Sequence, residues 1–196
     1  TLSNLQTTIA NAGSKSKLVI YLVGKGSENS LYLSSSEDLL STQLDTWLDD
    51  LQNNSGVEVY VILEFENSGS WADDLVPPVG KTRIIMSSAA NGFQSYCYNQ
   101  GIFSFSQYFW NGVFQGKNLR DAFTATQSPL SFLSNYQQKP GMTDNGNGIL
   151  NEKTDGPLAR TRFIGPGFLT GGDDLPTIAE VAGPIYLTTG EVQATL

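Results

Sequence analysis

Two apolar runs constrain this chain more than anything else in it: Lys17-Leu18-Val19-Ile20-Tyr21-Leu22-Val23 and Val57-Glu58-Val59-Tyr60-Val61-Ile62-Leu63-Glu64. Both are rich in β-branched and aromatic residues. The first is apolar throughout after its lysine, which suits a strand covered on both faces. Between them Leu44, Trp47, Leu48 and Leu51 fall at i, i+3, i+4 and i+7, with Asp45, Asp49 and Asp50 turned outward. That spacing predicts an amphipathic helix opening at Ser41 and ending at Asn53-Asn54-Ser55-Gly56. Strand, helix, strand is the repeating unit of an α/β domain with a largely parallel sheet.

The rest of the chain extends the same pattern. Ser3 is a candidate N-cap for a short helix through Leu5 and Ile9 that ends near Gly13. Ser30 to Leu33 reads as a short extended piece, and Arg83 to Ser87 as a third strand after the Pro-Pro-Val-Gly loop at 77–80. Phe103 to Phe114 and Leu119 to Thr126 read as helices. After Pro129 the character changes: 137–157 is rich in Gly, Asn, Asp and Pro and reads as a loop. Thr161 to Ile164 and Ile185 to Thr188 read as short strands joined by a Gly/Pro-rich stretch at 165–176. The expectation is one domain over 1–196, with a core at 17–136, the loop at 137–157 and C-terminal strands and loops at 158–196.

Composition narrows the partners. With 39% hydrophobic residues, three Trp, eight Tyr and ten Phe, 196 residues are enough to bury a substantial core. A net charge of −8 with 11 Lys and Arg argues against nucleic acid or an anionic membrane surface, which both need clustered positive charge. No apolar stretch approaches the ~20 residues of a membrane span. A single cysteine, Cys97, excludes an intramolecular disulfide and a zinc cluster. The chain begins at Thr1 without a signal-like stretch, so a processed product or a piece of a longer protein is expected.

In open parallel sheets, ligands and catalytic groups collect beyond the carboxyl ends of the strands. Here those ends carry Gly24-Lys25-Gly26-Ser27, then Phe65-Glu66-Asn67-Ser68-Gly69-Ser70, then Ser87-Ser88-Ala89-Ala90. Together with Glu64 and the stretch Phe103-Ser104-Phe105-Ser106-Gln107-Tyr108-Phe109-Trp110, followed by Leu119-Arg120-Asp121-Ala122-Phe123, they resemble the legumain and caspase-like cysteine peptidases, over roughly 17–164. Bacterial legumain-type members in large secreted or surface proteins are the nearest in appearance. The resemblance implies a three-layer α/β sandwich. It implies a catalytic His at the position of Lys25 and a catalytic Cys at that of Glu66, with Gly24, Gly26, Asn67, Ser68, Gly69, Ser87 and Ser88 shaping the oxyanion and specificity pocket.

This sequence departs from that pattern at both catalytic positions, and it has no histidine at all. A lysine ammonium with an unperturbed pKa of about 10.4 is a poor base at neutral pH. A carboxylate is far less nucleophilic than a thiolate toward an amide. Cys97, in Ser95-Tyr96-Cys97-Tyr98, does not match the nucleophile's position. Opposite charges at the two positions suggest instead an ion pair between Lys25 and Glu66. The family's sheet also begins upstream with a strand–helix–strand unit absent here, so an N-terminal segment or a second chain is expected to complete the sheet.

Three further features have two readings each. Thr143-Asp144-Asn145-Gly146-Asn147-Gly148-Ile149-Leu150-Asn151-Glu152 resembles a calcium loop with Asn145, Asn147, the Ile149 carbonyl and Glu152 as ligands. Thr143 stands where the first carboxylate belongs, leaving Asp144, Glu152 and Asp155 to supply charge; the plain alternative is an Asx/Gly turn-rich loop. The aromatics Phe103, Phe105, Tyr108, Phe109, Trp110 and Phe114 suit either a binding platform or, more commonly, helix-to-sheet packing. Asp73 and Asp74 suit either selection of a basic partner or a solvated surface. The expectation is a catalytically inactive, peptidase-like domain of a secreted or surface protein, binding a peptide or protein; the alternative is an endopeptidase scaffold with its dyad substituted. No cofactor is required, and calcium is the one candidate ion.

Overall fold

A computed structural model of the chain describes residues 1–135 and 137–165, together with the backbone of two short strands near the C-terminus. The helices are α1 (Leu2–Ala10), α2 (Ser41–Asn53), α3 (Phe105–Phe114) and α4 (Leu119–Leu133). The strands are β1 (Lys17–Val23), β2 (Lys25–Ser27), β3 (Ser30–Tyr32), β4 (Asp38–Leu40), β5 (Glu58–Glu64), β6 (Arg83–Ser87), β7 (Gly141–Thr143), β8 (Tyr186–Thr188) and β9 (Glu191–Gln193).

The main sheet has the order β1-β5-β6-β7. β1 runs parallel to β5 from Lys17↔Glu58 to Val23↔Glu64, β5 parallel to β6 from Val59↔Arg83 to Leu63↔Ser87, and β7 antiparallel to β6. The alternation of side chains along each strand decides what covers the two faces. Leu18, Ile20, Val59, Val61, Leu63 and Ile85 share a cluster with Ile9 of α1 and Leu44, Leu48 and Leu51 of α2. Tyr60, Ile62, Ile84, Met86 and Met142 share another with Phe105, Phe109 and Val113 of α3 and Leu119, Ala122, Phe123 and Leu130 of α4. A mostly parallel sheet between two helical layers is the α/β sandwich that the alternation of elements predicts. No described helix is long and apolar enough to cross a membrane.

Polar contacts lock these layers together. Arg83, fully buried at the start of β6, donates to Asp45 and Asp49 at 2.7 Å each and to Gln52 at 2.9 and 3.0 Å, all on α2. Gln52 in turn donates to the carbonyls of Val57 and Thr82. At the sheet's β7 edge, Asn151 imitates a neighbouring strand: its N–H donates to Met142 O (2.8 Å) and its side-chain oxygen accepts from Met142 N–H (3.1 Å).

Several sequence expectations need correction. α1 is capped by Thr1, not Ser3. α3 begins at Phe105 behind the Ser104 cap, because Phe103 is held in a bridge with Tyr98. α4 continues through Pro129 to Leu133, since burial of Phe123, Thr126 and Leu130 outweighs the one hydrogen bond that proline removes. Thr161 to Ile164 is not a strand: a 3₁₀ turn spans Ala159–Thr161, and the Arg162 carbonyl bonds to Leu119 N–H instead of to a ladder. The strand expected at Ile185 to Thr188 is found at Tyr186–Thr188, antiparallel to β9. The Gly/Pro stretch beyond 165 lies outside the described residues.

Candidate functional site

β1, β5 and β6 end on the same side of the sheet, so the residues after them share one rim. β1 does not open into a free loop there. Gly24 N–H closes the ladder on Glu64 O at 3.2 Å, and Lys25 then enters a small antiparallel sheet, β2-β3-β4, opposite Tyr32. Gly26 is buried, and a Cβ on it would lie 2.7 Å from the Phe65 ring. Successive strand residues point to opposite faces, so Lys25 is turned away from Phe65. The expected ion pair with Glu66 is not formed. Lys25 is exposed and Glu66 half-buried, and the ion pairs among the described residues are Arg83 with Asp45 and Asp49, and Arg162 with Glu58.

The turn after β5 is held closely against the loop after β6. Asn67 sits in the left-handed region at φ 60°. Its N–H donates to Phe93 O (2.9 Å), Ser68 N–H to Phe65 O (3.3 Å) and Gly69 N–H to Ala89 O (2.8 Å). A Cβ on Gly69 would fall 2.8 Å from both Ala89 O and Ala90 Cα, so only glycine allows this approach. The Asn67 side-chain oxygen accepts from Gly92 N–H, and Ser68 bonds to Ala89 through its hydroxyl. Ser88 N–H donates to Leu63 O and its hydroxyl bonds to Ser95, while the Ser87 hydroxyl turns to Gly141 O. Every predicted pocket residue is thus placed on this rim. The backbone N–H groups of Gly24, Asn67, Ser68, Gly69 and Ser88 are all spent inside the protein.

Sequence reasoning missed the groups that hold the rim together. Glu64, buried at the end of β5, accepts from the Tyr21 hydroxyl (2.7 Å) and from Ser106 N–H (3.1 Å) in the first turn of α3, where the helix dipole favours a negative charge. Burial, reinforced by the Glu64 charge, pushes the Tyr21 phenol well above its ordinary range. The signal was present in the sequence as a carboxylate closing the apolar stretch from Val59 to Leu63. Buried Gln138 donates to Ser88 O and accepts from Tyr96 N–H, links across 50 and 42 residues that no local pattern shows. Glu28 accepts from Asn91.

The other candidates sort differently. Phe105 and Phe109 are buried and stacked at 5.7 Å, so the aromatic run of α3 is chiefly packing, although Phe103 and Phe114 stay exposed. Asp74 accepts from the Ser41 hydroxyl, while Asp73 is exposed. Cys97 is exposed in the loop between β6 and α3, away from the nucleophile's position.

In the calcium-like loop, the side-chain oxygens of Asn145 and Asn147 accept from the N–H groups of Asn147 and Ile149. Both side-chain amides donate to the Glu152 carboxylate. Asp144 is buried, with one oxygen on Gly156 N–H (2.8 Å) and the other on Ala159 N–H (2.7 Å), and Asp155 accepts from Glu152 N–H. These are the contacts of an Asx-turn loop. Among the described residues no three Asp, Glu, His or Cys side chains gather at one point. Compared with known proteins, the chain matches no family model and no curated protein.

Proposed function

We propose that this chain is a peptidase-like α/β domain, similar in layout to the legumain-type cysteine peptidases, that holds a peptide or protein at the rim without cleaving it. The observation that carries this reading is the chemistry at the two strand ends. Lys25 is an exposed ammonium, Glu66 a half-buried carboxylate, and the two do not touch. Neither can serve as thiolate or imidazole, and the turn N–H groups that would steady an oxyanion are bonded elsewhere. A secreted or surface location belongs to the same proposal.

The test is hydrolysis of a panel of fluorogenic peptides by the chain and by its Lys25→His, Glu66→Cys double variant. No turnover by the parent is expected; measurable turnover would overturn the reading. The alternative, a peptidase scaffold with its dyad substituted, draws on the close fit of Gly26 on Phe65 and of Gly69 on Ala89 and Ala90, which keeps the rim in shape. Cleavage by the double variant would favour it. Calcium remains a candidate ligand of the 143–155 loop. To bind, it would have to displace the two amide groups from Glu152, and calorimetric titration with calcium decides the matter.

A further inference from the structure

α1 and α2 cover the same face of the sheet, and between them, where α2 gives way to β5, the surface opens into a cleft of about 240 Å³. Two helical stripes build it. α1 and the 3₁₀ turn after it bring Gln6, Ala10 and Gly13 to one side, and α2 brings Trp47, Asp50, Leu51 and Asn54 to the other, spaced i, i+3, i+4 and i+7. The space is there because Ala10 and Gly13 are small. A Cβ on Gly13 would lie 3.9 Å from Leu51, an ordinary contact, so no close approach of the backbones requires glycine.

The charge in this cleft is placed against a local rule. Asp50 stands in the last turn of α2, where the helix dipole disfavours an anion, and no basic residue in that turn compensates. Its neighbours Asp45 and Asp49 hold Arg83, but among the described residues the Asp50 carboxylate has no hydrogen bond and no ion pair. The Asn54 side-chain amide donates to the Asp50 carbonyl, which leaves its oxygen to accept. No Lys or Arg lines the cleft; Lys81 donates to the carbonyl of Ser55 at its margin (2.9 Å). The residues beyond 165 cannot supply a side-chain cation either, because all 11 Lys and Arg of the chain lie at or before Arg162.

We propose that this cleft binds a small flat organic cation, an amidinium or guanidinium, packed against the Trp47 indole with its N–H groups on the Asp50 carboxylate. An aromatic wall beside a carboxylate attracts such a group in two ways, through the ring quadrupole and through charge-assisted, bidentate hydrogen bonds. The volume is below the roughly 300 Å³ at which drug-sized pockets begin, which limits the ligand to a small molecule. A side chain of another protein is the less suitable source. None of the exposed large apolar residues of the described surface lines the cleft, so it has no apolar surround for a protein to cover. The cleft lies at the end of the sheet opposite the rim, and the inference stands apart from the peptidase-like reading.

Benzamidine is the probe, and benzamide its uncharged isostere. With three tryptophans in the chain, the indole N–H region of a proton–nitrogen NMR spectrum carries three side-chain signals, and Trp47→Phe identifies the one that matters. Trp71 is fully buried and Trp110 packs on the other face of the sheet. Benzamidine at millimolar concentration should move the Trp47 signal saturably and leave the other two in place, and benzamide should move none. Asp50→Asn should weaken benzamidine about tenfold or more, the worth of a charge-assisted hydrogen bond. Ala10→Leu, at an exposed position in the last turn of α1, should abolish binding by filling the cleft. No saturable Trp47 shift in the parent would overturn the proposal, as would equal shifts with benzamide or undiminished binding by either variant. Tighter binding of a glycine–arginine–glycine peptide than of benzamidine would assign the cleft to a protein side chain and overturn the small-molecule assignment. The comparison of benzamidine with benzamide on the parent decides the matter even if a variant does not fold.

Discussion

Replacing Arg83 by methionine should be among the most damaging single changes in this domain. The guanidinium is fully buried and, among the described residues, is the only cation paired with Asp45 and Asp49, whose side chains are 25% and 36% exposed. Methionine fills much of the same volume but leaves two carboxylates and the Gln52 oxygen without their donors. Removing one partner of a buried ion pair costs about 3–5 kcal/mol. Because both aspartates can turn partly to water, the lower end applies, about 3 kcal/mol, or about 6–12 °C in melting temperature for a chain of this size.

The pH dependence adds a sign. Burial, with Asp49 nearby, already holds the Asp45 carboxyl above its ordinary range despite Arg83. A carboxyl with a raised folded pKa favours folding while it is protonated, and that contribution is lost as pH rises from the ordinary aspartate range through the folded pKa. Without Arg83 the rise should be larger, so the defect of Arg83→Met should shrink as pH falls from neutral toward about 4. Urea denaturation at both pH values measures this. Adding Asp45→Asn and Asp49→Asn to the variant should restore part of the lost stability at neutral pH. A single variant within about 1 kcal/mol of the parent, well below the expected loss, would refute the reasoning.

Three further outcomes follow from the same geometry. Gly156→Ala should cost about 1–3 kcal/mol, because φ is +103° and the new Cβ would lie 1.5 Å from the Arg120 guanidinium, displacing it from Asp155 O; thermal melting reads the loss. Tyr21 and Tyr60, both pushed upward chiefly by burial, should be the last of the described tyrosines to ionise in an alkaline absorbance titration. Their contribution to stability is complete below the ordinary tyrosine pKa and falls away above it; Glu64→Gln should bring the Tyr21 step to lower pH. Burial raises the Glu58 carboxyl, but hydrogen bonds from Arg162 and Tyr60 outweigh it and leave a net lowering. That stability is present above the ordinary glutamate range and lost on acidification. Arg162→Gln should cost no more than about 1 kcal/mol at neutral pH, the pair being partly exposed, and nearly nothing in acid.

The local elements were legible wherever a single segment carries its own periodicity. The heptad-like spacing of Leu44, Leu48 and Leu51 gave α2, and the apolar runs gave β1, β5 and β6. Where a segment's fate depended on a distant neighbour, the reading failed. Lys25 looked like the end of a strand and begins another, because β3 offers it a ladder. Thr161 to Ile164 looked like a strand and lacks one, because its carbonyl is taken by the start of α4.

The same division runs through the candidate site. Residue types, and hence the absence of imidazole and the displacement of the one thiol, are properties of the sequence and need no coordinates. So are the Gly and Ser turns that bring three strand ends to one rim. Whether Lys25 and Glu66 meet was beyond it, because that depends on β2 pairing with β3 instead of opening into a free loop beside the turn after β5. The Glu64 link to Tyr21 and Ser106, the Arg83 clamp on α2 and the Asn151 closure of β7 were likewise decided only by the tertiary structure. Each joins residues 9 to 43 positions apart, and hydrogen-bond partners at that range are selected by packing, which no local pattern of hydrophobicity encodes.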